Sequence, residues 1–249
     1  MSGYDRPLYN GYLLDRVSFD YRIGESTHPV FSNFTLDISS DRITVILGRS
    51  GCGKTTLLRL LAGLLHPASG EIRFVKDGAV TEPKAGMVFQ ESRLFPWLNV
   101  RDNITMHMKK NRESAVIQQK YLSMMGLEEF AAAYPSQLSG GMSQRVAISR
   151  ALAYDPDILL MDEPFSALDY FSRLRMQDEI LRIFHTLGIG IVFVTHNVDE
   201  ALKLATDLLI LKNQAAPVRF KLPDCPDPDN KEIQAVLLKK QILELLKEP

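Results

Sequence analysis

Three short apolar runs, each followed by a longer stretch of helical periodicity, leave this chain few folds to choose from. "ITVIL" (43–47) precedes "KTTLLRLLAGLL", "DILLMD" (157–162) precedes "YFSRLRMQDEILRIFHTLG", and "IGIVFVT" (189–195) precedes "HNVDEALKLA"; a fourth run, "DLLIL" (207–211), closes the series. Strands that are apolar throughout have no face to give to water, and helices between them can cover both faces of a parallel sheet. The fold class is α/β, with a mainly parallel sheet. Ahead of it, "YLLDRVSFDYRI" (12–23) and "FSNFTLDISSD" (31–41) alternate polar and apolar residues and predict an antiparallel side sheet at the N-terminus. Residues 91–154 show no strand pattern, and "RDNITMHMKKN", "ESAVIQQKYLSMMG" and "EEFAAAYPSQLS" predict short helices of an inserted helical subdomain. From Pro223, "PDCPDPDNKE" reads as a linker before "IQAVLLKKQILELL", a helix expected to pack on the domain.

Gly48-x-x-x-x-Gly53-Lys54-Thr55 lies between the first apolar run and its helix, the context in which this Walker A pattern carries meaning. Glycines let the backbone of Gly48, Ser50, Gly51, Cys52 and Gly53 curl so that successive N–H groups, continuing into Thr56, face phosphates. Lys54 places a point charge on them, and the Thr55 hydroxyl is offered to Mg²⁺. The sheet becomes a P-loop NTPase core with ATP and Mg²⁺ as its ligands.

"DILLMDEP" ends in two carboxylates, Asp162 and Glu163, whose burial would be costly without a cation. Asp162 is read as a Mg²⁺ ligand and Glu163 as the base that takes a proton from the attacking water. His196 follows the third run at the same sheet edge, where an imidazole can meet the γ-phosphate. "LSGGM" (138–142) places two glycines at the start of a helix; by itself this is either an anion site or an ordinary turn.

With 249 residues, 45% of them hydrophobic, the chain can bury a full core. Lys and Arg number 29 against 30 Asp and Glu, so no basic field favours nucleic acid. Cys52 and Cys225 lack metal-ligand spacing and are expected to be free thiols. The N-terminus lacks a secretory h-region, and the longest apolar runs fall far short of the roughly 20 residues that cross a bilayer, so a soluble chain, able to sit on a membrane protein, is expected.

The Walker A loop, "LSGGM" and "ILLMDEP" in that order resemble the ATP-binding cassette (ABC) ATPase family over nearly the whole chain. The resemblance implies that Gln90 in "GMVFQES" is a Q-loop glutamine touching Mg²⁺ and the reaction, that Ser139, Gly140 and Gly141 form the signature loop, that "SALD" (166–169) is the D-loop with Asp169 near nucleotide, that His196 is the switch histidine, and that Tyr21 stacks on adenine, with Phe19 the alternative. It implies two subunits head to tail, each signature loop facing the ATP held by the other. It divides the chain into 1–90 and 155–222 (nucleotide-binding core with side sheet), 91–154 (helical subdomain) and 223–249 (linker and C-terminal helix). Two departures are Met142, where glutamine is common, and Asp41-Arg42 before the first core strand, where Gly-Glu is common.

"FQESRLFPWLNVRDNI" together with Met142 looks most like the nitrate/sulfonate/taurine/bicarbonate importer group. That implies a separate integral-membrane permease, an extracytoplasmic solute-binding protein, a small anion as solute, and a peripheral position on the cytoplasmic face of the inner membrane. Phe95, Pro96 and Trp97 then either dock the permease or fill the core of the helical subdomain. A soluble cassette ATPase acting on nucleic acid or ribosomes is the alternative; paired cassettes, a coiled-coil insertion or clustered basic residues would mark it, and the sequence has none.

Overall fold

The computed structural model describes residues 9–24, 26–213, 215–222 and 228–247. In chain order the elements are β1 (Gly11–Ile23), β2 (Ser26–Ser39), β3 (Ile43–Gly48), α1 (Lys54–Leu61), β4 (Ser69–Lys76), β5 (Ala79–Thr81), β6 (Ala85–Val88), α2 (Val100–Ile104), α3 (Arg112–Met124), α4 (Gly140–Ala153), β7 (Ile158–Asp162), α5 (Tyr170–Leu187), β8 (Gly190–Thr195), α6 (Val198–Leu204), β9 (Asp207–Leu211), β10 (Val218–Lys221) and α7 (Pro228–Lys247).

The main sheet runs β10-β9-β3-β8-β7-β6, parallel except for the antiparallel edge strand β10. Every residue of β3, β7, β8 and β9 is buried, as continuous apolar runs require. Alternate side chains feed two cores. Val45, Leu159, Met161 and Phe193 pack with the helices on one face. Ile46, Leu160, Val192 and Val194 pack with α1 and the side sheet on the other. Because β3, β8 and β7 are neighbours, Gly48, Thr195 and Asp162 end side by side on one sheet edge.

The side sheet, β2-β1-β4-β5, is antiparallel throughout, with Gly11 opposite Ser39 on one side and Val75 on the other. Sequence patterning identifies β1 and the second half of β2, which begins at Ser26, but not β4, β5, β6 or β10. The "SGEIRFVK" of β4 is largely solvent-facing, and β6 is four residues containing a glycine. Both are strands because of the partners they find, β1 for β4 and β7 for β6.

Among the described residues, 91–154 holds only helices, including 3₁₀ turns at Glu128–Phe130 and Pro135–Gln137. Asn99 caps α2, and Asn111 with Ser114 forms a reciprocal cap on α3. The alternative that Trp97 fills this region's core is overturned: Trp97 is 69% exposed, touching Phe95 edge-on at 5.3 Å.

The C-terminal helix begins at Pro228, inside the stretch expected to be linker, because a proline in the first helical turn has no N–H that needs an intrahelical acceptor. Ile242 of α7 is fully buried, and Leu238, Leu245 and Leu246 pack partly buried against the main core. The expected packing on the domain is observed. Cys225 lies outside the described residues. No helix among the described residues is long and apolar enough to cross a membrane.

Candidate nucleotide site

The loop between β3 and α1 is shaped by its glycines. Gly51 and Gly53 have φ of 84° and 96°, a region costly for residues with a Cβ. A Cβ on Gly53 would also lie 2.7 Å from Val30 Cγ1 and 2.9 Å from Phe31 Cζ, and one on Gly48 would lie 2.7 Å from the Leu211 carbonyl oxygen. Ser50 and Gly51 form the exposed crest, while Cys52 is buried, which pushes its thiol pKa up and away from reactivity. Lys54 is only 6% exposed, and its Nζ donates to the carbonyls of Gly48 at 2.9 Å and Arg49 at 3.0 Å. The ammonium is held against the loop it serves. Gly53 caps α1 without a side-chain acceptor, and the first helical bond is Leu57 N–H to Gly53 O at 2.8 Å. The N–H groups of Lys54, Thr55 and Thr56 therefore gain nothing from a cap side chain, which suits a phosphate.

Across from the loop, the Thr55 hydroxyl donates to Asp162 Oδ1 at 3.0 Å. Asp162 is 8% exposed, and burial raises its carboxyl pKa, partly offset by the Thr55 bond. A buried carboxylate beside a hydroxyl is a hard-oxygen donor pair of the kind Mg²⁺ takes with substrate phosphates, so these residues fit that ion. The next residue turns sharply: Glu163 has φ of 43°, and its N–H reaches Val194 O at 3.0 Å, tying the end of β7 to β8. A non-glycine residue in this region costs on the order of 1–3 kcal/mol and persists where surrounding structure enforces it. The turn sets Glu163 Oε2 2.8 Å from His196 Nδ1 and Oε1 3.9 Å from Lys54 Nζ. With Nδ1 engaged, the exposed His196 ring has Nε2 left for a ligand.

The remaining candidates lie around this cluster. Tyr21 is half-buried with its hydroxyl 3.4 Å from Thr56 Oγ1, whereas Phe19 is buried against it edge-on, so the tyrosine is the aromatic left accessible beside the loop. Gln90, just past β6, is exposed and makes no hydrogen bond among the described residues. Arg150 of α4 donates to Ser92 O and Arg93 O, both at 2.9 Å, and so ties the segment after Gln90 to the helix that carries the 138–142 loop. Asn103, fully buried, accepts from Phe95 N–H at 2.9 Å and donates to Leu98 O at 2.9 Å, which fixes the turn bearing Trp97. Neither Arg150 nor Asn103 is singled out by sequence patterning; a buried amide on a short helix is the signal that points to the latter.

Ser139 caps α4 by accepting Met142 N–H at 3.3 Å, and Gly140 and Gly141 open the helix. Here the structure separates the candidates: no hydrogen bond joins these three residues to the loop at 48–53 among the described residues. A Cβ on Gly140 or Gly141 would meet nothing closer than 3.7 Å, and neither has positive φ. Glycine costs about 1 kcal/mol against alanine inside a helix, so nothing within the chain demands it at either place. The Met142 side chain packs partly buried against the main core. Asp169 caps α5 through Ser172 N–H at 3.0 Å, and its bonds to Ser172 hold its carboxyl below the usual range. Asp41 and Arg42 precede β3, at the opposite end from Gly48.

A family model for ABC transporters matches residues 31–166. The taurine import ATP-binding protein of Rhizobium johnstonii is 44% identical over 83% of this chain and 81% of its own length. The aliphatic sulfonates import ATP-binding protein of Bacillus cereus is 36% identical over 93% and 94%. Among solved structures, the dimeric, post-hydrolysis state of an ATP-binding cassette bound to ADP and Pi superposes with a TM-score of 0.75 at 30% identity, covering 86% of this chain and 100% of that one.

Proposed function

The chain belongs to the ABC transporter family as one of its ATPases, and we propose that it powers import of a small anion, a sulfonate or taurine, through a separate membrane permease. One observation carries the catalytic part: Lys54, Thr55, Asp162, Glu163 and His196 converge on one sheet edge through the contacts described above.

In this proposal the N–H groups at the start of α1 and the Lys54 ammonium hold the β- and γ-phosphates, and Tyr21 stacks on adenine, a contact worth about 1–3 kcal/mol for a base on an aromatic ring. Thr55 and Asp162, with Gln90, would hold Mg²⁺, which when bound neutralises phosphate charge. Glu163 accepts a proton from water as its oxygen bonds to the γ-phosphorus and the bond to the β–γ bridging oxygen breaks, leaving ADP and phosphate. His196 donates from Nδ1 to the Glu163 carboxylate and, with both ring nitrogens protonated, donates from Nε2 to the γ-phosphate.

Ser139, Gly140 and Gly141 act on the ATP of a second copy. Their unexplained glycines support this, because a backbone without side chains lets another chain's ligand approach. Ser172, at the start of α5, lies 4.0 Å from a Cβ built on Gly141, and its neighbours Tyr170 and Phe171 are 66% and 71% exposed. Trp97, exposed on a turn fixed by Asn103, docks the permease, which sets the chain on the cytoplasmic face of the membrane; an external binding protein supplies the solute to the permease.

Detergent extraction of a tagged chain tests the assignment. Co-purification of an apolar permease with ATP turnover, reduced on the order of 10²–10⁴ by Glu163→Gln, is expected. Nucleic acid or ribosomes in its place would overturn it.

A further inference from the structure

Behind His196 the structure pairs a buried carboxylate with a partly exposed arginine, a contact that the phosphate chemistry leaves unused. Thr195, the last residue of β8, is 2% exposed; its hydroxyl donates to Glu200 Oε2 at 2.5 Å and accepts Asn197 N–H at 3.0 Å. One side chain thus pins the backbone on both sides of His196. Glu200, on α6, is 5% exposed, and its other oxygen, Oε1, lies 3.4 Å from Arg173 Nε on α5. From Nη2, Arg173 donates to Leu168 O at 3.2 Å, inside the 166–169 segment. The chain of contacts runs from His196 through Thr195, Glu200 and Arg173 to Leu168. Beside it a polar cavity of about 50 Å³ is bounded by Glu163, Ser166, His196 and Glu200.

Stability is weak ground for keeping these two residues together. Replacing a buried ion pair by apolar groups of similar volume is often neutral or stabilising. This pair is also imperfectly made, since Arg173 Nε is buried without a hydrogen bond. Its distinguishing property is what it joins. On the ligand side Glu163 already links the two loops, its carboxylate 2.8 Å from His196 Nδ1 and its carbonyl accepting Ser166 N–H at 3.2 Å; the Glu200–Arg173 pair joins the same loops a second time, from behind.

We propose that Glu200 and Arg173 are positioning residues, a strut that keeps His196 and the 166–169 loop in register so that both meet bound ATP as one unit. This rests on the ATPase reading above. Displacing a positioned group by about 1 Å can cost on the order of 10²-fold in rate, so a loosened strut appears in turnover rather than in nucleotide affinity.

The test uses the full chain carrying Glu200→Gln, Arg173→Met, and both together. Arg173→Met leaves the Glu200 carboxylate buried and unmatched, Glu200→Gln leaves a partly exposed arginine without its partner, and the double variant removes both charges at nearly constant volume. The double variant is expected to melt within about 3 °C of the unaltered chain. It should bind a fluorescent ATP analogue within about twofold, yet turn over at saturating ATP about tenfold or more slowly with KM little changed. A purely structural pair predicts that turnover recovers with stability, and unaltered turnover in the double variant overturns the strut. Should that variant not fold, Thr195→Val, which removes the hydroxyl at similar volume, carries the same expectation and the same refutation. Absence of ATP turnover in the unaltered chain would instead defeat the ATPase reading and the strut with it.

Discussion

Replacing Trp97 with alanine separates a docking residue from a core residue. Tryptophan side chains offer roughly 150–250 Å² of surface. With 69% of the residue exposed, about a third is covered, or roughly 50–80 Å². At about 25 cal/mol per Å² that cover is worth about 1–2 kcal/mol, including most of the Phe95 contact, and alanine keeps part of it. The expected loss is about 1 kcal/mol, a fall in melting temperature of about 2–4 °C for a chain of this size. A buried tryptophan would cost about 3–5 kcal/mol. Docking predicts a larger effect elsewhere: an aromatic anchor worth about 2 kcal/mol or more lowers permease affinity about thirtyfold. Calorimetry of the isolated variant and pull-down with detergent-solubilised permease read the two quantities. A melting shift near 10 °C, or undiminished permease capture, refutes the reasoning.

Lys54→Ala removes the charge held by Gly48 O and Arg49 O and should weaken nucleotide binding in calorimetric titration, whereas Glu163→Gln should leave binding intact; equal losses would give Glu163 a structural role. Gly53→Ala should abolish nucleotide binding and lower stability by about 1–3 kcal/mol, through its φ of 96° and the approach of Val30 and Phe31, read by chemical denaturation. Asp162 has its pKa raised by burial, so the folded chain holds that proton more tightly than the unfolded chain and loses stability as pH rises through the range above the ordinary carboxylate value. Asp162→Asn should therefore raise the melting temperature of the nucleotide-free chain at neutral pH, by an amount that shrinks toward acid, while removing the Mg²⁺ dependence of ATP binding.

The geometry of the candidate nucleotide site was legible in the sequence because its demands are local. Positive φ at Gly51 and Gly53, a lysine that folds back on its own loop, and carboxylates at the end of an apolar strand are each written within a few residues. That β3, β7, β8 and β9 are parallel was legible for the same reason, since strands buried on both faces are mostly apolar; their order in the sheet was not. What did not show depends on distant partners. β4 and β6 are strands only because β1 and β7 offer them ladders, and β10 adds an edge through Val218 to Lys221. The pairing of Arg173 with Glu200, 27 residues apart, needed the fold to bring α5 and α6 together. Trp97 was ambiguous because a tryptophan after proline looks alike in a core or on a surface; only its exposure decides.

The most direct measurement concerns the glycines at 140 and 141, for which the single chain supplies no reason. If Ser139, Gly140 and Gly141 reach ATP held by Lys54 of a second copy, the Glu163→Gln chain should associate when ATP is bound and stay associated because it does not hydrolyse it. Light scattering of that variant with saturating Mg-ATP should give twice the mass of one chain, and Ser139→Ala added to it should reduce the dimer. A single-chain mass at saturating ATP and high protein concentration would contradict the head-to-tail site.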